Sequence, residues 1–487
     1  MVPYEAGFAR IDITPPIGTS GQTNEDGDRQ IVGVHWPLNA RVAIIRHGAE
    51  AVMFVSCDLI ALAGDTVASI RESIADRTGF PGERVVVSCT HTHSSARTVQ
   101  VWAGEIDEPF LHGLPVKIGD AAAEALARAE PVTLRVGSAR TYGLTFNRRP
   151  LYAGGEVGNE GPQWVDDFER MEGPADETLQ VLFAERADGT VVGGLANFAV
   201  HPHMFGLEPI YSADIAGAFV TKLGAAYDAE FLFLQGAGGN LYWRDMSAPP
   251  FWTVEGGAAD PGSMRTVAPW GHREMGEWGP IALSDRWSNA LVEAAVVAMD
   301  AAREIADAVV VVSTGWLSLP QRKAAAKHVE AARWFLEQDR KSVDMDAYNL
   351  RATGHRYTFF DNRFLQAGFS EQIIEIDRAQ REAPGREVLE EAEIMAIRVG
   401  DVGFATYPAE IFSELGFETK DGSPFDYTFV IELANGWVGY VPTECAFSHG
   451  GYETRLGTVS RLVPEAGGRM TALAIERLKA LADKEPS

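Results

Sequence analysis

Cysteine is scarce. Cys57, Cys89 and Cys445 are the only three in 487 residues. That excludes a disulfide-stapled scaffold and fits a reducing compartment. A chain of this length buries a large core without covalent help. Basic charge is also in short supply: 42 Lys and Arg stand against 68 Asp and Glu, a net −26 with neutral histidines. No run of Lys and Arg occurs, so a phosphate backbone or an anionic bilayer is a poor electrostatic match. Long apolar runs are missing too. The windows RVAIIRHGAEAVMFVS and EAAVVAMDAA are broken by charge or too short to span a bilayer. The opening MVPYEAGFARIDITPP has no basic segment followed by an apolar core, so no signal peptide is visible. No repeat of solenoid or propeller period appears. The expectation is a cytoplasmic protein acting on a small molecule. Nucleic-acid partners and stable membrane association are not expected, and homo-oligomerisation stays open.

What is present is a mixture of short β-branched runs and helical stretches. Arg41 to Arg46 and Ala51 to Ser56 predict two strands joined by the turn HGAE. Thr66 to Thr78 predicts an amphipathic helix that stops at Gly79. Further strands are predicted at Arg84–Ser88, Val132–Ser138, Leu179–Glu185, Thr190–Val200, Glu230–Leu234, Ala392–Val399 and Val402–Tyr407. Helices are predicted at 112–129, Ala213–Tyr227, 284–305 and 467–483. Residues 244–280 are rich in Gly, Pro and Trp and predict a long loop shaping a substrate pocket. Residues 321–390 are charged and helix-prone and predict an inserted helical lobe. The whole reads as an α/β protein of layered mixed sheets with a helical insertion, forming one domain over 1–487.

Three segments carry chemistry. VVVSCTHTHSSA, residues 85–96, runs an apolar strand straight into His91 and His93. LANFAVHPHMFG, residues 195–206, delivers His201 and His203 in the same way, with Pro202 ending regular pairing. A lone HxH is as well explained by solvated histidines at a strand end. Two such clusters point to zinc, which favours imidazole nitrogen and, in catalytic sites, keeps one position open. In the first cluster one histidine is expected to be a ligand and the other to face another part of the site, unless the backbone bends. The third segment, FLFLQGAGGNLYW, residues 231–243, enters a glycine loop that lacks the GKS or GKT of a P-loop. Its glycines fit either close approach to a ligand or a tight packing turn.

Read in order, the segments resemble the neutral/alkaline (non-lysosomal) ceramidase catalytic domain. GFARIDITPPIG, VSCDLIAL, THTHSS, NRRP, NFAVHPHM and YPAEIF carry the resemblance, together with the interval from Asn435 to Tyr440. It runs from about residue 6 to 460. The resemblance implies one zinc held by His91, His201, Glu410 and Tyr440. It implies His93 beside the reacting centre and Arg148 as an active-site arginine. The departures are specific. The register that carries the family's serine puts Tyr242 there, and the glycine-proline tail after THTHS becomes Ser95-Ala96. Only 47 residues follow Tyr440, too few for the family's C-terminal immunoglobulin-like domain of about 100 residues.

These readings converge on a zinc-dependent hydrolase cleaving an amide, or an ester or lactone, of a non-sphingolipid small molecule by activated water. His93 is expected as general base, and Arg148 with Tyr242 as oxyanion stabilisers. Two alternatives stand beside it. One is a genuine ceramidase in which Ser94 or water replaces the missing serine. The other is a zinc-binding homologue without catalysis.

Overall fold

The β-branched runs Asn39–His47 and Glu50–Cys57 form the predicted hairpin, with Ile44 opposite Met53 and Ala40 opposite Cys57. The computed structural model describes residues 4–19, 21, 30–101, 105–158, 167–206, 208–243, 280–339, 342–353 and 363–482. The hairpin belongs to a nine-stranded sheet. Its order is Glu230–Gln235, Val191–Phe198, Thr178–Glu185, Glu130–Arg140, Tyr4–Asp12, Asn39–His47, Glu50–Cys57 and Val85–Cys89, with Arg303–Glu304 added to Glu130–Arg140. Both end pairs are parallel and the interior pairs antiparallel. The sheet curls strongly. Ser56 Oγ, near one end, donates to the Phe233 carbonyl at the other, 2.6 Å away.

A second sheet of four strands runs Val310–Pro320, Leu389–Val399, Val402–Thr406 and Tyr427–Ile431. The two sheets pack face to face. Leu134, Leu182, Leu195 and Leu232 from the large sheet share one buried cluster with Met395, Ile397, Phe404 and Phe429 from the small one. Helices cover the outer faces. Gly64–Thr78 turns Val67, Ile70 and Ile74, spaced for one helical face, into the core and closes at Gly79 in the left-handed region. Ala466–Ala482 covers the small sheet with Met470, Ala474 and Leu478. The layered mixed-sheet α/β expectation therefore holds.

Two local expectations differ from the structure. The helix predicted over 284–305 spans Pro280–Asp300, because Arg303–Glu304 leaves it to pair with Glu130–Arg140. The strand Val310–Pro320 was not predicted. It is the edge of its sheet, and its burial is uneven: Trp316 is exposed while Val310 and Leu319 are buried. That edge strand pairs along its whole length with Leu389–Val399. The predicted helical insertion fits between them as Ala326–Glu337, Met345–Thr353 and Arg363–Glu382. The pocket-shaping loop predicted at 244–280 lies outside the described residues except for its last position. Among the described residues no helix is long and apolar enough to cross a membrane.

Candidate metal centre

The apolar strand Val85–Cys89 ends where Thr90 N–H bonds the Cys57 carbonyl at 2.9 Å and His91 N–H bonds that of Leu59 at 2.9 Å. These bonds hold His91 at φ +67, a left-handed conformation that costs a non-glycine residue about 1 kcal/mol or more. The backbone bend that would let both histidines serve one point is therefore present. His91 Nδ1 lies 2.8 Å from the Ile60 carbonyl, which fixes it as the donor and leaves Nε2 with a free lone pair. The second apolar strand, Val191–Phe198, delivers His201 and His203 beyond its end.

Three ring nitrogens meet. Nε2 of His91 is 3.2 Å from Nε2 of His201 and 3.3 Å from Nε2 of His93, and the His93 to His201 distance is 3.1 Å. Glu410 Oε2 lies 3.3 Å from His91 Nε2. Its other oxygen accepts from Trp437 Nε1 at 3.0 Å, whereas Oε2 is buried with no hydrogen-bond partner. Glu410 is a strand residue. Glu410–Ile411 pairs with Tyr440–Val441, and Glu410 faces Tyr440 in register.

This donor set fits a zinc ion. Nitrogens about 2.0–2.1 Å from a tetrahedral zinc stand roughly 3.3–3.4 Å apart, close to the spacings here. Three ring nitrogens stand together, and an orphaned carboxylate oxygen lies beside that of His91. Without a cation such an arrangement leaves buried acceptors unsatisfied. The spacing does not separate His93 from the other two: the three histidines form one compact group.

Electrostatics are dominated by burial. It holds His93 and His201 well below the ordinary imidazole range, with Arg148 and the neighbouring rings adding to it. His203 is pushed down to about 3, by burial first and Arg148 second. All three are neutral acceptors at physiological pH. Burial acts upward on Glu410, but the neighbouring His91 and the hydrogen bond from Trp437 outweigh it and keep the carboxylate low. Burial and the adjacent Glu410 raise the Tyr440 phenol, against the pull of Arg148. Glu432 is driven well above the carboxylate range by burial and by Glu410. It accepts from Ile411 N–H at 2.9 Å and so underpins the Glu410 strand.

The remaining predicted residues gather around this group. Arg148 donates from Nη2 to the Tyr440 hydroxyl at 3.1 Å and from Nε to Glu453 at 2.9 Å. Tyr242 lies with its hydroxyl 3.1 Å from His203 Nδ1 and its ring stacked 6.2 Å from His201. Leu241–Trp243 pairs with Thr145–Asn147, so the glycine loop and the NRRP segment are held together by backbone bonds. The glycines serve close packing. A Cβ on Gly239 would stand 2.5 Å from the Glu410 carbonyl oxygen, and one on Gly238 would stand 2.7 Å from that of Val200. Trp437, Glu432 and Glu453 were not anticipated. Trp437 sits within the interval from Asn435 to Tyr440, but the pairing of Glu453 with Arg148 leaves no trace in local sequence.

No protein-family model matches the sequence. The fold is that of a neutral-ceramidase-like catalytic domain. Among solved structures the chain is similar to neutral ceramidase from Pseudomonas aeruginosa, with a TM-score of 0.67 and 17% identity, over 100% of this chain and 76% of that one. It is also similar to a ceramidase complexed with C2, with a TM-score of 0.66 and 16% identity, over 100% of this chain and 76% of that one.

Proposed function

We propose that the chain is a zinc-dependent hydrolase that cleaves an amide bond, or an ester or lactone, of a small molecule outside the sphingolipids. One observation carries the reading: the Nε2 atoms of His91, His93 and His201 stand 3.1–3.3 Å from one another, with the buried, unpartnered Glu410 Oε2 3.3 Å from that of His91. His91, His201 and Glu410 would hold the ion, with Tyr440 beside them. When bound, zinc supplies Lewis acidity to a carbonyl and to an attacking water. His93, neutral by burial, accepts the proton of the water and returns it to the leaving nitrogen. Arg148 holds fixed positive charge next to Tyr440. With His203 as the Nδ1–H tautomer, its ring donates to the phenol oxygen of Tyr242 and frees the phenol proton for the oxyanion. The protein is proposed to act in the cytoplasm on this small molecule.

Turnover of ceramide itself is the second reading, favoured by the fold shared with ceramidase structures. Tyr242 at the serine register weighs against it. A screen of the zinc-loaded protein against N-acyl amides, lactones and ceramides separates the two. Hydrolysis of simple amides without ceramide cleavage supports the first, and preferential ceramide cleavage supports the second. No hydrolysis of any member, with zinc bound, refutes both and leaves a binding protein.

A further inference from the structure

Among the described residues, many arginines that are wholly or partly buried face a carboxylate. Arg41 pairs with Asp58, Arg71 with Glu393, Arg148 with Glu453, and Arg149 with Glu172 and Glu453. Arg455 and Arg322 depart from this pattern, and Arg322 reaches the Thr454 carbonyl beside Arg455. Arg455 is half-buried and keeps accessible surface. Its contacts are neutral: Nη1 donates to Gln366 Oε1, the Tyr348 hydroxyl is within bonding reach, and Cζ lies 4.3 Å over the Phe369 ring. Arg322 donates to the carbonyls of Thr454 and Ser460 at 2.7 Å each and to Ser460 Oγ at 3.0 Å. Its Cζ lies 4.8 Å from the Phe447 ring centre, and its Nε is buried with no partner. Among the described residues neither arginine pairs with a carboxylate.

His328 on the helix Ala326–Glu337 adds a third basic group. It is half-buried; burial first, then Lys327, Arg455 and Arg322, holds its imidazole below the ordinary range, so it stands beside the arginines as a neutral ring able to donate. Burial itself disfavours the charged form of Arg322, down to about 10, with no acid to offset it. In a chain of 68 acidic and 42 basic residues, two neighbouring arginines with no carboxylate partner among the described residues run against composition. Buried charge without a partner is costly, and a bound anion is what relieves it. The planar fork of an arginine matches a carboxylate well.

A chain of ring contacts links Arg455 to the metal centre. Phe369, under Arg455, is 5.8 Å from the Tyr452 ring, and Tyr452 is 5.5 Å from the ring of Tyr440. Tyr452 is followed by Glu453, the partner of Arg148. One short segment therefore faces the centre with Glu453 and the helical insertion with Arg455. We propose that Arg455, Arg322 and His328 form a subsite for the carboxylate of an anionic substrate. On the hydrolase reading above, the bond cleaved then belongs to an amide whose one limb ends in a carboxylate. Aromatic rings separate that carboxylate from the scissile bond, so it sits at the far end of the limb.

The test compares the mono-anilide of decanedioic acid with the anilide of decanoic acid on the zinc-loaded protein. Each is measured as a substrate and, where it is not cleaved, by calorimetric titration. The charged anilide should be preferred at least tenfold, and Arg455→Gln should bring that ratio close to unity. Equal preference in the unaltered protein, or an unchanged ratio in Arg455→Gln, overturns the subsite. Cleavage of both anilides without preference removes the subsite and keeps the hydrolase. Arg455-dependent binding without cleavage keeps the subsite and removes the hydrolase. If circular dichroism shows that Arg455→Gln is unfolded, His328→Glu carries the same test from the half-exposed helix. It sets a carboxylate against the arginines, and the ratio must fall at least threefold or the subsite is wrong.

Discussion

Glu410 and Tyr440 are register partners in a parallel pairing of two residues on two, anchored by the Glu410 N–H bond to the Gly439 carbonyl at 3.0 Å. Gly439 makes this possible. It sits at φ +83, and a Cβ there would stand 2.5 Å from the Val459 carbonyl oxygen. Two side chains from distant segments are thus placed by backbone and not by side-chain reach. A ligand carboxylate positioned this way needs little reorganisation when a cation arrives.

The first expectation concerns the metal itself. Elemental analysis of the purified protein should give about one zinc per chain, the count for a single tetrahedral site. His91→Ala, His201→Ala and Glu410→Ala should each fall well below this under the same dialysis. Full retention of zinc by any of the three removes that residue from the ligand set.

His93 is the decisive histidine, because its Nε2 is as close to the group as the other two. As a base and not a ligand, His93→Ala should keep its zinc and lose about two to four orders of magnitude in turnover. Metal content and kcat are measured on the same preparation. Loss of zinc in parallel with His91→Ala would make His93 a third nitrogen ligand and move the base elsewhere.

Much of the large sheet was legible from its apolar runs. The hairpin Asn39–Cys57 and the strand-to-histidine transitions at Cys89 and Phe198 declare themselves through β-branched runs ending in polar clusters. Glu410 and Tyr440 do not. A lone Glu and a lone Tyr carry no periodic signal, and only the family resemblance singled them out. Val310–Pro320 escaped because an edge strand need not alternate cleanly between buried and exposed faces. The curling of the sheet, the Glu453 pairing and the neutral surroundings of Arg455 arise from contacts between segments far apart in the chain. No window of sequence contains them.

Tyr242 and His203 should behave as a coupled pair. In the proposed mechanism the phenol would donate to the oxyanion while His203, 3.1 Å away, supplies the hydrogen bond to its oxygen. Tyr242→Phe should lower turnover by about one to three orders of magnitude, the scale for losing an oxyanion donor, and leave zinc bound. His203→Ala should lose a similar factor, and the double variant should lose hardly more than either alone. Additive losses would separate the two residues. Serine-directed fluorophosphonates should leave the protein active. A covalent adduct on Ser94 or Ser95 would instead restore a nucleophile mechanism.

Glu453 carries the last expectation. Its two oxygens accept from Arg148 at 2.9 Å and from Arg149 at 2.6 Å, and all three side chains are buried. Arg149 also pairs with Glu172, which in turn accepts from His449 at 2.7 Å. The network is balanced at two guanidinium groups against two carboxylates. Glu453→Gln leaves one buried positive charge in excess, and breaking a buried pair in this way costs about 3–5 kcal/mol. The denaturant midpoint should fall accordingly. Adding Arg149→Met removes the excess charge, so the double variant should recover part of the loss, where independent sites would only lose more. Function supplies the second readout. Arg148 is oriented by Glu453, so Glu453→Gln should lower kcat while zinc content stays unchanged. Unaltered kcat with reduced stability would reduce Glu453 to a structural counter-ion with no hold over the position of Arg148 against Tyr440.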